Sequence, residues 1–376
     1  MPNGAASSSP TIAKRYKKSP VFPPKTYEAA SCPAPNGAWQ IVTKETREPA
    51  PNEVVIRVHA SGICNSDHFV KDGTWPGLQY PRIPGHEVIG RIAAVGAAIA
   101  DADAAEGEGA RFRVGALVGV GWNGGYCGRC DFCRKGDFAV CRKGGVTGFT
   151  FDGGHAQYMY APESAVVSIA EEALQKASYA ELAPLFCGGV TVFDAIRTTP
   201  FTPGDICVVQ GIGGLGHLAI QYAAKLGLKV YAVSSGHAKR ALALSIGAHE
   251  YIDSSTTNAV ERLQAVGGAR VIICTAPRAK HINEIIPALG RSGTVTLVSA
   301  ATDAPIEVWN LFLNMNRASI RGWSCGCASD MEHCVKFSTL SDIKSIVKEY
   351  SLEEFAVAYE GVVSNEARFR NVIVFP

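Results

Sequence analysis

Neither sign of charge is in excess in this chain: 36 Lys and Arg stand against 34 Asp and Glu, a net +2. That balance excludes an electrostatic case for nucleic acid or an anionic membrane surface and directs attention to small-molecule partners. Long apolar runs are lacking too. The longest stretch without charge, Ile206 to Ala224, contains Gln210, four glycines, His217 and Gln221, and reads as strand, turn and helix rather than a membrane span. Acids are absent from the first 27 residues, which carry Lys14, Arg15, Lys17, Lys18 and Lys25. Transit peptides share such a composition, but prolines at 2, 10, 20, 23 and 24 interrupt any amphipathic helix and there is no apolar core of a secretory signal. Residues 1–25 are therefore expected to be a flexible basic arm. With no secretory signal, the 12 cysteines are expected to be reduced thiols and metal ligands in a cytoplasmic protein. Internal repeats are also missing.

What is present is an ordinary globular composition, 47% hydrophobic and 19% charged, in 376 residues. That length suits about two domains. Four of the cysteines, Cys127, Cys130, Cys133 and Cys141, lie in one glycine-rich segment, GYCGRCDFCRKGDFAVC, spaced C-x2-C-x2-C-x7-C. Thiolates two residues apart can bend onto one ion, and four complete a closed tetrahedral zinc site. A closed site is structural. An iron–sulfur cluster also takes four thiolates, and disulfides need an oxidising compartment; zinc suits the spacing best.

Up to about residue 188 the elements look short and β-rich: Glu53–His59, Val88–Val95 and Ala116–Val120 read as strands. Between them Ala97–Gly109 (AAIADADAAEGEG) reads as an exposed insertion with nothing to pack. The pattern then alternates. Ile206–Gln210, Lys229–Val233, Val271–Cys274 and Thr294–Val298 read as strands, Leu215–Lys225 and Ala238–Ile246 as helices. The fold class is therefore α/β: a doubly wound parallel-sheet domain at 189–322 inserted into a β-rich domain made of 26–188 and 323–376.

Gly211, Gly213 and Gly216, within GIGGLG, satisfy G-x-G-x-x-G directly between a strand and a helix, with Gly214 and Leu215 completing the turn. The glycines allow the tight turn, the approach of pyrophosphate and close helix packing, so this is a dinucleotide site. The bland alternative is a tight turn with no ligand. After the next strand, Ser234, Ser235, Lys239 and Arg240 stand where a ribose-binding carboxylate is usual. Hydroxyls and cations suit a 2′-phosphate, which favours NADP(H) with NAD(H) possible; otherwise the two cations merely decorate a helix start.

Cys64 in GICNSDH, His86 in PGHE and Cys187 in LFCGGVT are separated by 22 and 101 residues. Singly each has a dull explanation, but with the four-cysteine loop and the dinucleotide turn the order of motifs resembles the zinc-dependent alcohol dehydrogenases of the medium-chain dehydrogenase/reductase family. The resemblance runs over nearly all of residues 38–376, and implies a GroES-like catalytic domain with an inserted Rossmann domain. It implies two Zn²⁺ per subunit, one held by Cys64, His86 and Cys187 and one by the four-cysteine loop. Glu87 resembles an acid near the metal, Asp67 a carboxylate orienting the ligand histidine, and Ser66 the hydroxyl that takes the alcohol proton. Thr191 resembles a residue contacting nicotinamide, and Arg370 a C-terminal arginine near the pyrophosphate. A homodimer or homotetramer is implied as well; an apolar edge strand near Val295 is a conjectured pairing edge.

The pattern departs from the family in places. Phe69 stands where some relatives carry a relay histidine, with His68 one position early, and Asn65 stands where several carry a cation. The serines after Val233 resemble the cinnamyl-alcohol-dehydrogenase-like branch, whereas NSDHFVKDGTWPGLQYPRIPGHEVIGRI looks like microbial general alcohol dehydrogenases. Trp75, Phe149 and Trp309 are aromatic enough for a pocket but such residues are more often core, and His155 in FDGGHAQY is a tempting acid or base although the resemblance implies a structural use of this glycine-rich turn. The expected activity is hydride transfer between NAD(P)(H) and a primary alcohol or aldehyde, apolar or aromatic. A reductase of a conjugated alkene or iminium on the same fold is the alternative, and a non-catalytic NAD(P)-binding redox sensor is the reading from another class.

Overall fold

The computed structural model describes residues 23–106 and 111–376. Most of the basic arm, residues 1–22, lies outside them. The β-rich part supplies β1 (Thr26–Ser31), β2 (Gln40–Glu45), β3 (Glu53–Gly62), β4 (Val88–Val95), β5 (Leu117–Val120), β6 (Tyr158–Pro162) and β7 (Val166–Ser168). Next come β8 (Ile206–Gln210), β9 (Lys229–Ser234), β10 (Glu250–Asp253), β11 (Ala269–Cys274), β12 (Leu289–Leu297) and β13 (Ser319–Gly322). The chain then returns to the first part as β14 (Val347–Tyr350) and β15 (Arg370–Val374).

Strand β3 organises the first part. Its apolar residues Val54, Val55, Ile56 and Val58 are all buried, so both faces are covered. It pairs antiparallel with β4, β6 and β15, in a sheet ordered β14-β15-β3-β4-β5-β7. The C-terminal strand thus lies beside the strand that leads to Cys64, and Val372 faces Gly62.

The second part is a six-stranded sheet ordered β10-β9-β8-β11-β12-β13, parallel throughout. The order reverses between β8 and β11, and a crevice opens beyond the carboxyl ends of those two strands. Gly211 follows one of them and Thr275 the other, whose hydroxyl donates to the Gln210 carbonyl at 2.8 Å. A continuous apolar core joins the parts, including Ala60, Ile89, Phe186, Val209 and Leu218. His217 crosses the same boundary: Nδ1 meets the Gly213 carbonyl at 3.1 Å and Nε2 accepts from the Ile346 N–H at 3.2 Å.

Two expectations are corrected. Ala97–Glu106 is a helix, and Ile99 is buried among Val54, Ile92 and Phe112, so the segment is packed at its start. Val295 is not on an edge: β12 lies between β11 and β13, and the edge strand on that side is β13. No single helix among the described residues is long and apolar enough to cross a membrane.

Candidate active site

Three elements converge beneath the crevice. Cys64 leaves β3 into a short turn, Asn65–Asp67; His86 and Glu87 immediately precede β4; and Cys187 begins the helix Gly188–Arg197. One potential ligand atom from each of Cys64, His86, Glu87 and Cys187 lies within 4.8 Å of the others. The two sulfurs are 3.9 Å apart. Bonds of about 2.3 Å to a tetrahedral ion would put them about 3.8 Å apart, so the spacing fits zinc. His86 and Glu87 are fully buried, and neither ring nitrogen of His86 has a hydrogen-bond partner. Its Nδ1 faces Asp67 Oδ1 at 3.5 Å, which leaves Nε2 for the thiol side. Buried polar atoms left without partners are costly, and a metal satisfies them.

The four groups also shift one another's titration strongly. A bond from the Cys187 thiol, with His86 alongside, holds Cys64 well below the usual thiol range, while Cys187 is pushed up. Burial pushes His86 down, but the Cys64 thiolate, Asp67 and Glu87 outweigh it and hold the ring at about 9. Burial lifts Glu87 to about 7 against the pull of Arg370. Arg370 pairs with Glu87 Oε1 and packs against Gly214, so the acid beside the candidate metal and the dinucleotide turn share one guanidinium. A Cβ on Gly214 would lie 2.5 Å from Arg370 Nη1; the glycine is needed for that approach.

Asp67 accepts from the Cys64 N–H at 3.0 Å, and its Oδ2 is 3.3 Å from His155 Nε2. His155 therefore belongs to the site, contrary to the turn reading; its sequence signal was only a histidine in a glycine-rich loop. Ser66 is half-buried in the Asn65–Asp67 turn. His68 is turned back onto the Asn65 carbonyl at 2.7 Å, consistent with its off-register position.

Aromatic rings wall the site. Trp122 meets His86 edge-on at 4.9 Å and lies 5.5 Å from Trp75 and 5.0 Å from Phe149. A cavity of about 190 Å³ beside them is lined by Trp75, Leu78, Arg82, Phe149 and Thr150 among others. Trp122 escaped sequence reading because nothing local marks a tryptophan five residues before Cys127 as facing His86. Trp309 lies elsewhere, 84% exposed at the start of the helix before β13.

Cys127, Cys130, Cys133 and Cys141 form the second convergent group, with Cys130 Sγ 3.5 Å from Cys133 Sγ and 3.9 Å from Cys141 Sγ. The N–H groups of Cys133 and Arg142 hold Cys130 at about 6, which favours the thiolate a metal needs. Arg142 clamps Asp131 through two bonds of 2.8 and 2.9 Å across the loop. Among the described residues no further group of this kind occurs; Cys32, Cys207, Cys274, Cys325, Cys327 and Cys334 are buried thiols.

At the dinucleotide turn Gly211 has φ +87°, and a Cβ on Gly216 would lie 1.9 Å from the Gly211 carbonyl oxygen. Only glycine permits that contact. Ser235 and Arg240 are exposed, Ser234 and Lys239 half-buried. A carboxylate does reach this loop, from the next strand: Asp253 is paired in register with Ser234, and Oδ1 accepts from Gly236 N–H at 2.8 Å and Ser255 N–H at 2.9 Å. It holds the loop from below. Thr191 is buried and donates to the Ser324 carbonyl at 2.8 Å.

Comparison with known proteins agrees with this geometry. Residues 50–171 match the alcohol dehydrogenase GroES-like domain, and 214–349 match the zinc-binding dehydrogenase domain. The chain is 37% identical to the alcohol dehydrogenase patD of Penicillium expansum over 93% of its length and 98% of that protein's. It is 32% identical to an alcohol dehydrogenase of Geobacillus stearothermophilus, over 88% and 95% of the two chains. A cinnamyl alcohol dehydrogenase from Sorghum bicolor superposes with a TM-score of 0.81 at 26% identity, covering 93% of this chain and 98% of that one. Shared sequence along nearly the whole folded length, over the same two-part architecture, makes this chain a member of the zinc-dependent alcohol dehydrogenases of the medium-chain dehydrogenase/reductase family.

Proposed function

We propose that the chain interconverts an apolar or aromatic primary alcohol and its aldehyde with NADP(H), at a site formed by Cys64, His86 and Cys187. The observation that carries this is the buried His86 ring with no hydrogen-bond partner, aimed among two thiols and walled by Trp122 and Phe149. When bound there, zinc supplies Lewis-acid polarisation of the substrate oxygen and the nicotinamide carries the hydride.

The protein's own groups do the remainder. Cys64, His86 and Cys187 hold the ion, and the Cys127, Cys130, Cys133 and Cys141 thiolates hold a second, structural one. Asp67 keeps His86 in one tautomer. Ser66 Oγ takes the alcohol proton and hands it towards the cofactor ribose. Trp75, Trp122 and Phe149 exclude water and select flat, apolar substrates. Gly211, Gly213, Gly214, Leu215 and Gly216 receive the pyrophosphate, with Arg370 beside them and Thr191 lining the nicotinamide end. Ser234, Ser235, Lys239 and Arg240 take the 2′-phosphate, on a loop that Asp253 holds through the Gly236 and Ser255 N–H groups.

The test is the initial rate of reduction of an aromatic and an aliphatic aldehyde by zinc-replete protein with NADPH and NADH in parallel. Faster reduction of the aromatic aldehyde with NADPH is expected; equal use of the two cofactors would remove the 2′-phosphate assignment. Replacing Lys239 and Arg240 together by Ala is expected to raise KM for NADPH about 10–100-fold while moving that for NADH less than about 3-fold, since a charge-assisted bond is worth ~1.5–3 kcal/mol.

We further infer a homodimer formed at β13. That strand is an edge strand of its sheet, and the preceding helix Asn310–Asn316 has no buried residue and exposes Leu311 and Met315 beside Trp309. Light scattering is expected to give twice the monomer mass, and a monomer would refute the assignment. A cytoplasmic location is proposed on the reading of the 12 cysteines as reduced thiols and metal ligands and not a disulfide framework.

A further inference from the structure

We propose that His155 is a positioning residue for the metal centre: acting through Asp67, it sets the orientation of His86. The proposal rests on the reading of Cys64, His86 and Cys187 as metal ligands. His155 reaches Asp67 because two glycine-rich loops run against each other. Gly154 N–H donates to the Gly85 carbonyl at 2.9 Å, and His155 N–H to the Pro84 carbonyl at 3.1 Å. Gly85, next to His86, has φ +105°, and a Cβ there would lie 2.7 Å from His155 N and 2.8 Å from its ring Cγ. The two loops can approach this closely only at a glycine.

Both ring nitrogens of His155 are engaged in a place with no solvent. Ser61, Asp67, His86 and His155 all have zero exposure. Nδ1 lies 2.9 Å from Ser61 Oγ, and Nε2 lies 3.3 Å from Asp67 Oδ2. An anionic Asp67 only accepts, so Nε2 carries the proton and Nδ1 accepts from the Ser61 hydroxyl. Asp67 Oδ2 then has two donors, Cys64 N–H and His155 Nε2–H, while Oδ1 faces His86 Nδ1 at 3.5 Å.

The terminal torsion of an aspartate is soft and roughly two-fold. Held by Cys64 N–H alone, the carboxylate can swing and carry Oδ1 away from His86. The His155 bond is the second anchor that stops this rotation. The ring also packs on Phe355 at 4.8 Å, so an apolar ring would fill the same volume. Volume alone does not call for histidine; its nitrogens do, each with a partner.

The experiment measures zinc transfer from intact protein to a chromophoric chelator, in which the two candidate sites are resolved as two phases. The visible spectrum of the cobalt-substituted protein and kcat/KM are measured alongside. His155→Phe is expected to accelerate one phase about 10–100-fold, leave the four-cysteine phase unchanged and shift the cobalt bands. His155→Gln, whose amide nitrogen can take the place of Nε2, is expected to restore zinc retention to within about 3-fold of the parent. Ser61→Ala, which frees His155 to turn, is expected to act in the same direction by about 3-fold. Zinc retention and cobalt bands for His155→Phe within about 2-fold of the parent would overturn the proposal, even if the variant melts earlier. Should that variant fail to fold, parent-like zinc release by Ser61→Ala overturns it instead. A parent protein that holds zinc only in the four-cysteine loop would refute the ligand reading itself and this proposal with it, whereas a normal parent with an indifferent His155→Phe refutes this proposal alone.

Discussion

Cys64→Ser is expected to lower kcat/KM by about 10³–10⁴-fold, equivalent to ~4–5.5 kcal/mol of transition-state stabilisation. A serine hydroxyl keeps its proton at neutral pH, so the site loses a charged ligand and not merely a sulfur. The loss propagates, because Cys64 is the 3.9 Å partner of Cys187 and lies within ligand reach of His86. Two ligands remain, with Glu87 already paired to Arg370. Zinc content should fall from two equivalents towards one, with little change in melting temperature because the four-cysteine loop is untouched. Turnover within about ten-fold of the parent would sink a metal-dependent mechanism and bring forward reduction of a conjugated alkene or iminium, which does not require the Lewis acid.

Cys130→Ser is expected to act on stability. From Trp122 to Val146 the chain has no strand or long helix, only the turn Cys133–Lys135, and only Asn123, Gly124, Gly125 and Cys133 are buried. Little apolar burial holds it, so the four thiolates must. Structural zinc in small peptides is worth ~10–16 kcal/mol at neutral pH, comparable to the whole stability of a typical protein at ~5–15 kcal/mol. Even a third of that, at ~2–4 °C per kcal/mol, lowers the melting temperature by roughly 7–20 °C. A thermal melt with zinc stoichiometry checks this. An unchanged melt with two zinc equivalents would show that the loop is held by something else. Chelation of the parent should give the same destabilisation, and readdition of zinc should reverse it before aggregation sets in.

The two experiments separate what the two cysteine groups do. One loses chemistry at nearly constant stability, and the other loses stability first. The difference is expected from geometry: the four-cysteine group offers four ligands within one short loop, whereas Cys64, His86 and Cys187 offer three from separate elements, with Trp122 edge-on to His86.

Much of this was legible in residue order alone. The four-cysteine loop and the GIGGLG turn are local: ligand spacing and a strand-to-helix switch lie within a few residues, where backbone geometry relates sequence to space directly. Strands β8 and β9 were legible for the same reason, as unbroken apolar runs between punctuating glycines. The grouping of Cys64, His86 and Cys187 was legible only by resemblance, since residues 22 and 101 apart have no local relation. Other features were invisible. The helix at Ala97–Glu106 has almost no apolar stripe beyond Ile99 to announce it, and β13, only four residues long, displaced Val295 from the edge. Asp253 reaches the Ser234 loop from a neighbouring strand, Arg370 reaches Glu87 from the C-terminal strand, Trp122 turns onto His86, and His155 reaches Asp67 across 88 residues. By itself the sequence determined the class of fold, the four-cysteine loop and the dinucleotide turn. Only the tertiary structure decided which buried groups surround the candidate metal and hold it in place, because those contacts arise where separate strands and loops pack together and depend on no spacing along the chain.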